Sequence, residues 1–246
     1  MTDKITQFII QTFRNADKQK AIIGISGGID SALSLILVTK ALGAQNIIPV
    51  ILPYGDQDLN DGEVVLEFNQ IPQENWQIMD IKTAVDAMAK TAGVETSDKI
   101  RFGNLMARAR MMMLYDLAKK YDALVCGTEN KSEKYLGYFT RFGDEASDFE
   151  PIIHLYKTQV KQLAEDLNLL ARIIEKSPSA DLWEGQTDEQ ELGFSYEIAD
   201  QVLTQLIDER KTAAEIKIDG VELELIEKVI QRVKQMKFKQ QVPYRI

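Results

Sequence analysis

Two glycines flanked by serines form the stretch of this chain best suited to chemistry: Ser26-Gly27-Gly28-Ile29-Asp30-Ser31, set between a short apolar run and a helical one. Glycine lets the backbone turn tightly and bring N–H groups close to a ligand. A helix starting there adds unpaired N–H donors and the positive end of its dipole. Ser26 and Ser31 add hydroxyls, so the loop suits phosphate oxygens. It lacks the lysine and spacing of GxxxxGK[ST], and it does not match GxGxxG. The plainer alternative is a tight turn with Asp30 or Ser31 as helix cap, but a cap does not need serine on both sides of two glycines.

Other reactive types are scarce. The chain has one histidine, His154, which rules out poly-His metal sites and weakens any Ser-His-Asp scheme. Its apolar setting, Pro151-Ile-Ile-His-Leu155, reads as that of a satisfied structural histidine. The one cysteine, Cys126, cannot form an intramolecular disulfide, which fits a reducing compartment. Inside an apolar strand it reads as a small hydrophobe. Taken alone, Thr128 reads as a helix cap, Glu133 as part of a solvated helix face, Lys157 as a surface lysine and Ser177-Pro-Ser179-Ala as a turn. Arg110 reads as a surface partner on the helix of Arg108, and Met111, Met112 and Met113 as core packing.

The elements that must position these residues follow from periodicity. Residues 4–15 read as an amphipathic helix on Ile5, Phe8, Ile9 and Phe13. Buried strands are expected at 20–26, 46–54, 75–81 and 122–127, with Pro49 a mild objection unless it lies near a strand start or edge. Helices are expected at 30–42 (closed by Gly43), 60–70 (Asn60 and Glu63 in capping-box spacing), 82–92, 98–120, 156–168, 189–209 and 221–237. Segment 129–150 reads as a short helix and a functional loop. Strands alternating with helices imply βαβ units: an α/β fold with an open, mostly parallel sheet and helices on both faces. The 246 residues suffice for one large α/β domain without a disulfide or metal staple.

Acidic residues outnumber basic ones, 38 to 29, for a net charge of −9. That argues against nucleic acid as a partner, since such surfaces carry a basic footprint. It leaves room for a small anionic ligand held by a local cation cluster. No apolar run is long enough to span a membrane and the N-terminus has no signal-peptide pattern, so a soluble, cytoplasmic protein is expected.

The segment SGGxDS resembles the signature of the ATP pyrophosphatase superfamily, whose loop grips the pyrophosphate leaving ATP. Further segments resemble the NAD+ synthetases within it: Arg108 to Tyr115, Gly127 to Glu133, Leu136 to Asp144, Ala146-Ser-Asp148, Pro151 to Val160, Lys176 to Trp183, Gln186 to Gly193 and Tyr196. They run in order from Ile22 to about Asp200. The resemblance implies a Rossmann-like (adenine nucleotide alpha hydrolase-like) fold and a ligase that adenylates the nicotinate carboxylate of deamido-NAD+ with ATP, then lets ammonia displace AMP. Carried over residue by residue, it implies that Gly24, Ile25, Ser26, Gly27, Gly28, Ile29, Asp30, Ser31, Thr128, Lys157 and Ser179 contact ATP. Asp30 and Glu133 would hold Mg2+. Arg108, Arg141, Asp148, Phe238 and Lys239 would face deamido-NAD+, and Asp144 would handle the ammonium proton. Phe238 stands where the family commonly has histidine, ahead of Lys239 and Pro243, and it offers no hydrogen bond; Arg141 stands where lysine is frequent. The resemblance also implies a homodimer. Because the synthetase match uses up the chain, a single catalytic domain (1–246) without a glutamine amidase domain is expected. Rival readings are a GMP-synthetase-like amidotransferase subunit, a tRNA-thiolating enzyme, which would need paired cysteines and a basic surface, and a nucleotide sensor without catalysis.

Overall fold

Side chains alternate across a strand, and here the alternation sorts them into two apolar layers on either face of one sheet. The computed structural model describes residues 1–183 and 185–241. The first half runs α1 (Thr2–Ala16), β1 (Lys20–Gly24), α2 (Ile29–Leu42), β2 (Ile47–Ile51), α3 (Asn60–Phe68), β3 (Gln77–Ile78), α4 (Lys82–Ala92), α5 (Lys99–Tyr121) and β4 (Ala123–Cys126). The second half adds α6 (Lys131–Leu136), α7 (Lys157–Asp166), α8 (Ala171–Ile174), α9 (Asp188–Leu192), α10 (Tyr196–Leu203) and α11 (Leu223–Met236). All strand pairs are parallel, in the order β3-β2-β1-β4. Ala21, Ile23, Ile47, Ile51 and Cys126 point to the layer shared with α1, α2 and α7, while Ile22, Ile48, Val50 and Val125 point to the layer shared with α4 and α5. A third apolar cluster lies outside the sheet, among α6, α10 and α11, around Leu136, Val202 and Val229.

The strand order fixes where a ligand can sit. The chain leaves β1 for β2 and β3 on one side and returns to β4 on the other, so the order reverses between β1 and β4. At such a switch point the loops after the two strands part and open a crevice at their C-terminal ends. The segments leaving β1 and β4 are 25–28 and 127–130.

Several expected elements differ in detail. Pro49 lies in the middle of β2, an interior strand. It is tolerated because Val50 turns its carbonyl to β1, where Ile25 N–H donates, whereas Ile51 and Ile47 turn theirs the other way, to Met79 and Asn75. Pro49 shares that second side, where β3 pairs only with Val50 and Ile51. The third strand shrinks from 75–81 to two residues at this edge. Asn60 is the first helical residue of α3 rather than its cap, and the Asp58 carboxylate accepts its N–H. The helix expected over 189–209 breaks at Gly193, a left-handed C-cap, into α9 and α10, which ends in one π turn, Thr204–Asp208. The short α8 was not expected.

Candidate active site

The loop after β1 is held by its own serines. Ile25 N–H still bonds Val50 O at 2.9 Å, so the strand guides the chain one residue past its end. Gly28 N–H donates to Ser26 Oγ at 3.2 Å, the two serine hydroxyls meet at 3.1 Å, and Ser31 Oγ donates to Gly28 O at 3.0 Å. Gly27 takes φ 75°, and a Cβ there would lie 2.8 Å from Asp61 Cβ, so both conformation and space demand glycine. Neither Asp30 nor Ser31 caps α2: its N-cap is Gly28, without a side-chain cap. The first-turn amides therefore remain available to an anion.

Across the crevice, the segment after β4 builds a matching wall. Asn130 caps α6 in a reciprocal capping box, accepting from Glu133 N at 3.0 Å while Glu133 Oε2 accepts from Asn130 N at 3.3 Å. This fixes Glu133 and leaves the Asn130 amide free to donate to Asp30 Oδ1 at 2.9 Å. Lys157 opens α7 with only 8% of its surface exposed. Its own N–H bonds Ser132 Oγ at 2.9 Å, and the Asp200 carboxylate binds both Ser132 Oγ (2.5 Å) and Thr158 N (2.8 Å), locking α7 to α6. From that position the Lys157 ammonium reaches Asp30 Oδ2 at 2.5 Å and Glu133 Oε1 at 3.0 Å.

Three residues far apart in sequence thus meet at one point. Burial opposes the Lys157 charge, but Asp30 and Glu133 outweigh it and hold the ammonium protonated. Burial pushes the Glu133 carboxyl up to about 8, with Lys157 pulling it back down. Two carboxylates within 3.0 Å of one cation also fit Mg2+, which is usually held by one or two protein carboxylates, with water and phosphate oxygens completing its shell. Among the described residues no group of three or more ligating side chains is arranged for a metal, so a cage formed wholly by protein is not built here.

The remaining candidates spread along the same side. Arg108 on α5 donates through Nε to Arg141 O at 3.3 Å. The Arg141 guanidinium lies 5.4 Å from the Phe142 ring centre and 5.7 Å from that of Phe238, and its buried Nε has no partner. Phe238 is 46% exposed and presents an apolar ring to the Arg141 guanidinium. Lys239 Nζ is spent on Gly137 O (2.6 Å) and Phe139 O (2.5 Å), tying the chain end to the loop after α6; Pro243 lies outside the described residues. Asp148 Oδ2 accepts from Val125 N at 2.7 Å, closing the free edge of β4. Asp144 Oδ1 accepts from Thr140 N at 3.0 Å. Protein crowded round its carboxyl raises the Asp144 pKa against that bond, and because the residue as a whole is exposed, water moderates the rise. Thr128 is half-buried directly after β4, and Ser179 is exposed, its Oγ accepting from Asp181 N at 3.0 Å. None of these bonds directly to the Asp30–Glu133–Lys157 cluster.

Some residue readings are corrected. Arg110 is no surface partner of Arg108: it reaches across from α5 to Leu52 O (3.0 Å) and Gln57 Oε1 (3.1 Å), pinning the end of β2. Met113 packs into the core, but Met112 is 44% exposed. His154 is exposed and has no side-chain hydrogen bond among the described residues, so it is not a satisfied structural histidine. Cys126 is a buried strand residue as expected, and burial pushes its thiol up. Asn130 was given no role, although the spacing Asn-x-x-Glu is a helix-start signal in its own right.

Glu129 and Glu150 were missed too. Each carries a buried carboxylate oxygen without a partner, and both line a cavity of about 160 Å³ beside Lys134 and Lys239. Burial, then Glu150, pushes Glu129 up to about 9, and burial pushes Glu150 up to about 7. A carboxyl raised in the fold binds more protons there than in the unfolded chain, so stability falls as pH rises from the ordinary 4.5 toward about 9. Glu129→Gln is expected to flatten this slope and to make the protein more stable than wild type at pH 8.5 but not at pH 5. Urea unfolding at the two pH values measures it, and an unchanged slope defeats the assignment.

A parallel sheet with a glycine-rich loop opening a helix and a carboxylate pair at its switch point is the plan of an α/β nucleotide-binding enzyme. A model of the NAD synthase family matches residues 1–243. The NH(3)-dependent NAD(+) synthetase of Fusobacterium nucleatum subsp. nucleatum is 42% identical over 244 residues, spanning 98% of this chain and 93% of that protein. Among solved structures, an NMN synthetase from Francisella tularensis superposes with a TM-score of 0.84 at 31% identity, covering 100% of this chain and 96% of its own. The NH3-dependent NAD synthetase of Campylobacter jejuni subsp. jejuni, solved with nitrate ion, gives 0.82 at 31% identity, with coverages of 100% and 97%. The chain belongs to the NAD synthase family.

Proposed function

We propose that this protein makes NAD+ from deamido-NAD+, ATP and free ammonia. The observation that carries the reading is the meeting of Asp30, Glu133 and Lys157 beside the Ser26–Ser31 loop, in a chain that matches the NAD synthase family almost end to end. A carboxylate is a poor electrophile because hydroxide or oxide is a poor leaving group. One nicotinate carboxylate oxygen attacks the α-phosphorus of ATP, and the bond to pyrophosphate breaks. Negative charge moves onto the departing oxygens, where the loop amides and the Lys157 ammonium stand ready to receive it. Mg2+, held by Asp30 and Glu133, supplies further neutralisation of phosphate charge when bound. Ammonia then attacks the acyl carbon, the carbon–oxygen bond to AMP breaks, and one proton leaves the new amide nitrogen; Asp144 is its acceptor. Thr128 and Ser179 complete the ATP side, and Arg108, Arg141, Asp148, Phe238 and Lys239 the dinucleotide side.

A homodimer belongs to the same proposal, supported by apolar surface on α5 such as Met112. So does a cytoplasmic location, supported by the free buried thiol of Cys126. No helix among the described residues is long and apolar enough to cross a membrane.

The deciding experiment is NAD+ formation from deamido-NAD+, ATP and ammonium by the purified chain. Glutamine is expected not to replace ammonium, and the rate at fixed total ammonium is expected to rise with pH as ammonia replaces ammonium. Glutamine-supported synthesis by the chain alone would end the reading. The similarity to an NMN synthetase favours one second reading, amidation of the nicotinate mononucleotide. Comparing kcat/KM for the two nicotinate substrates separates them.

Arg108→Ala is expected to weaken deamido-NAD+ binding while leaving ATP binding nearly unchanged. A charged hydrogen bond contributes about 1.5–3 kcal/mol, or one to two decades in Kd. A surface helix arginine would change it by less than about 0.5 kcal/mol. Calorimetric titration of each ligand decides; an equal loss for ATP would place Arg108 on the wrong half of the site.

A further inference from the structure

Asp188 is 3% exposed, at the first turn of α9, and is used by no step above. Its Oδ2 accepts the Tyr196 hydroxyl at 3.0 Å. Its Oδ1 is buried and has no hydrogen-bond partner within 3.5 Å among the described residues, with the Tyr138 hydroxyl close by. An ionised carboxylate oxygen left without a donor in the interior is costly. Two groups stand close enough to explain its retention: Asp188 lies within electrostatic reach of Lys157, and the Tyr196 ring that Asp188 orients faces the Lys157 ammonium at 5.2 Å.

The Lys157 ammonium occupies the space between Asp30 and Glu133. A divalent cation on those two carboxylates cannot share that position with an ammonium, because like charges a few ångströms apart repel strongly where water is scarce. Lys157 is nearly buried, so leaving the cluster for solvent is not a short step, and a displaced ammonium needs another anion. Asp188 is a buried neighbour with an open oxygen. Asp30, Glu133 and Asp188, when ionised, and one ammonium leave two negative charges, which one divalent cation cancels.

We propose that Asp188 is a positioning residue, the second station of the Lys157 ammonium: when Mg2+ takes Asp30 and Glu133, Lys157 moves to the open oxygen of Asp188 over the Tyr196 ring and stays inside the crevice, facing the phosphates. The inference rests on the metal assignment of the proposed function. It also gives Asp188 a role other than metal ligand, in keeping with the absence of a three-ligand cluster among the described residues.

The test is magnesium binding itself, measured by calorimetry with Mg2+ alone on the full chain. Asp188→Asn is expected to weaken Mg2+ binding about tenfold or more. In a Lys157→Met background no ammonium needs rehousing, so the same substitution is expected to change Mg2+ binding by less than about threefold, a coupling that a double-mutant cycle isolates. Equal loss from Asp188→Asn in both backgrounds means plain long-range attraction and overturns the station, whereas a wild-type chain that binds no Mg2+ overturns the metal assignment instead. A second measurement needs no variant. Amine acylation followed by peptide mass spectrometry is expected to find Lys157 equally protected with and without Mg2+, and a large Mg2+-induced rise in its labelling overturns the proposal.

Discussion

Asp30→Asn and Glu133→Gln are each expected to cut turnover at least about 100-fold at saturating magnesium, the scale on which losing one preorganised electrostatic contact to the transition state is felt. Each change keeps the shape of the side chain and removes one negative charge. Each also leaves Lys157 one carboxylate to pair with, so the crevice wall stays in place. The Asn130 amide, which donates to Asp30 Oδ1, finds an acceptor oxygen in asparagine as well. The fold should therefore survive while phosphate charge goes unneutralised. Steady-state rates over a magnesium titration, beside a thermal melt of each variant, measure this. Wild-type turnover in both variants sinks the metal assignment, and a collapsed melt shows a structural role instead.

Lys157→Met is expected to have the next largest effect, on stability as well as rate. The side chains of Lys157, Asp30 and Glu133 are 10%, 17% and 16% exposed, so the pairs are largely desolvated. Breaking a buried pair from one side costs about 3–5 kcal/mol, since the partner charge stays behind. The sign with pH follows from the direction of the shift. The Lys157 pKa is raised in the fold, so its contribution is fully present below the ordinary 10.5 and is lost only as pH rises through the higher folded value. Across neutral pH the wild type keeps all of it. The variant instead faces two carboxylates without a cation, so its deficit should shrink as pH falls and they take up protons. Magnesium should recover more stability in the variant than in the wild type, because it meets no ammonium there. Urea unfolding at pH 6 and pH 8.5, with and without Mg2+, reads all three effects. A deficit that does not depend on pH or Mg2+ means that methionine only disturbs packing.

Local order along the chain was enough to read the tight glycine turn after the first strand, the alternation of strands and helices, and the parallel sheet. A Gly-Gly pair at the end of an apolar run, and runs of Ile and Val too short for helices, are short-range signals that survive in any context. Family resemblance alone singled out Glu133 and Lys157, which by themselves looked like ordinary surface charges. Tertiary structure decided the rest. It placed Asp30 beside Asn130 and Lys157, residues 100 and 127 positions away, because strand order put β4 next to β1 and made the crevice there. It buried Lys157 through the Ser132–Asp200 lock, left Oδ1 of Asp188 open, exposed His154 and turned Arg110 inward. None of these is written in spacing, because burial and charge pairing depend on which distant elements pack together, and packing is settled only when the whole sheet and its helices close on one another.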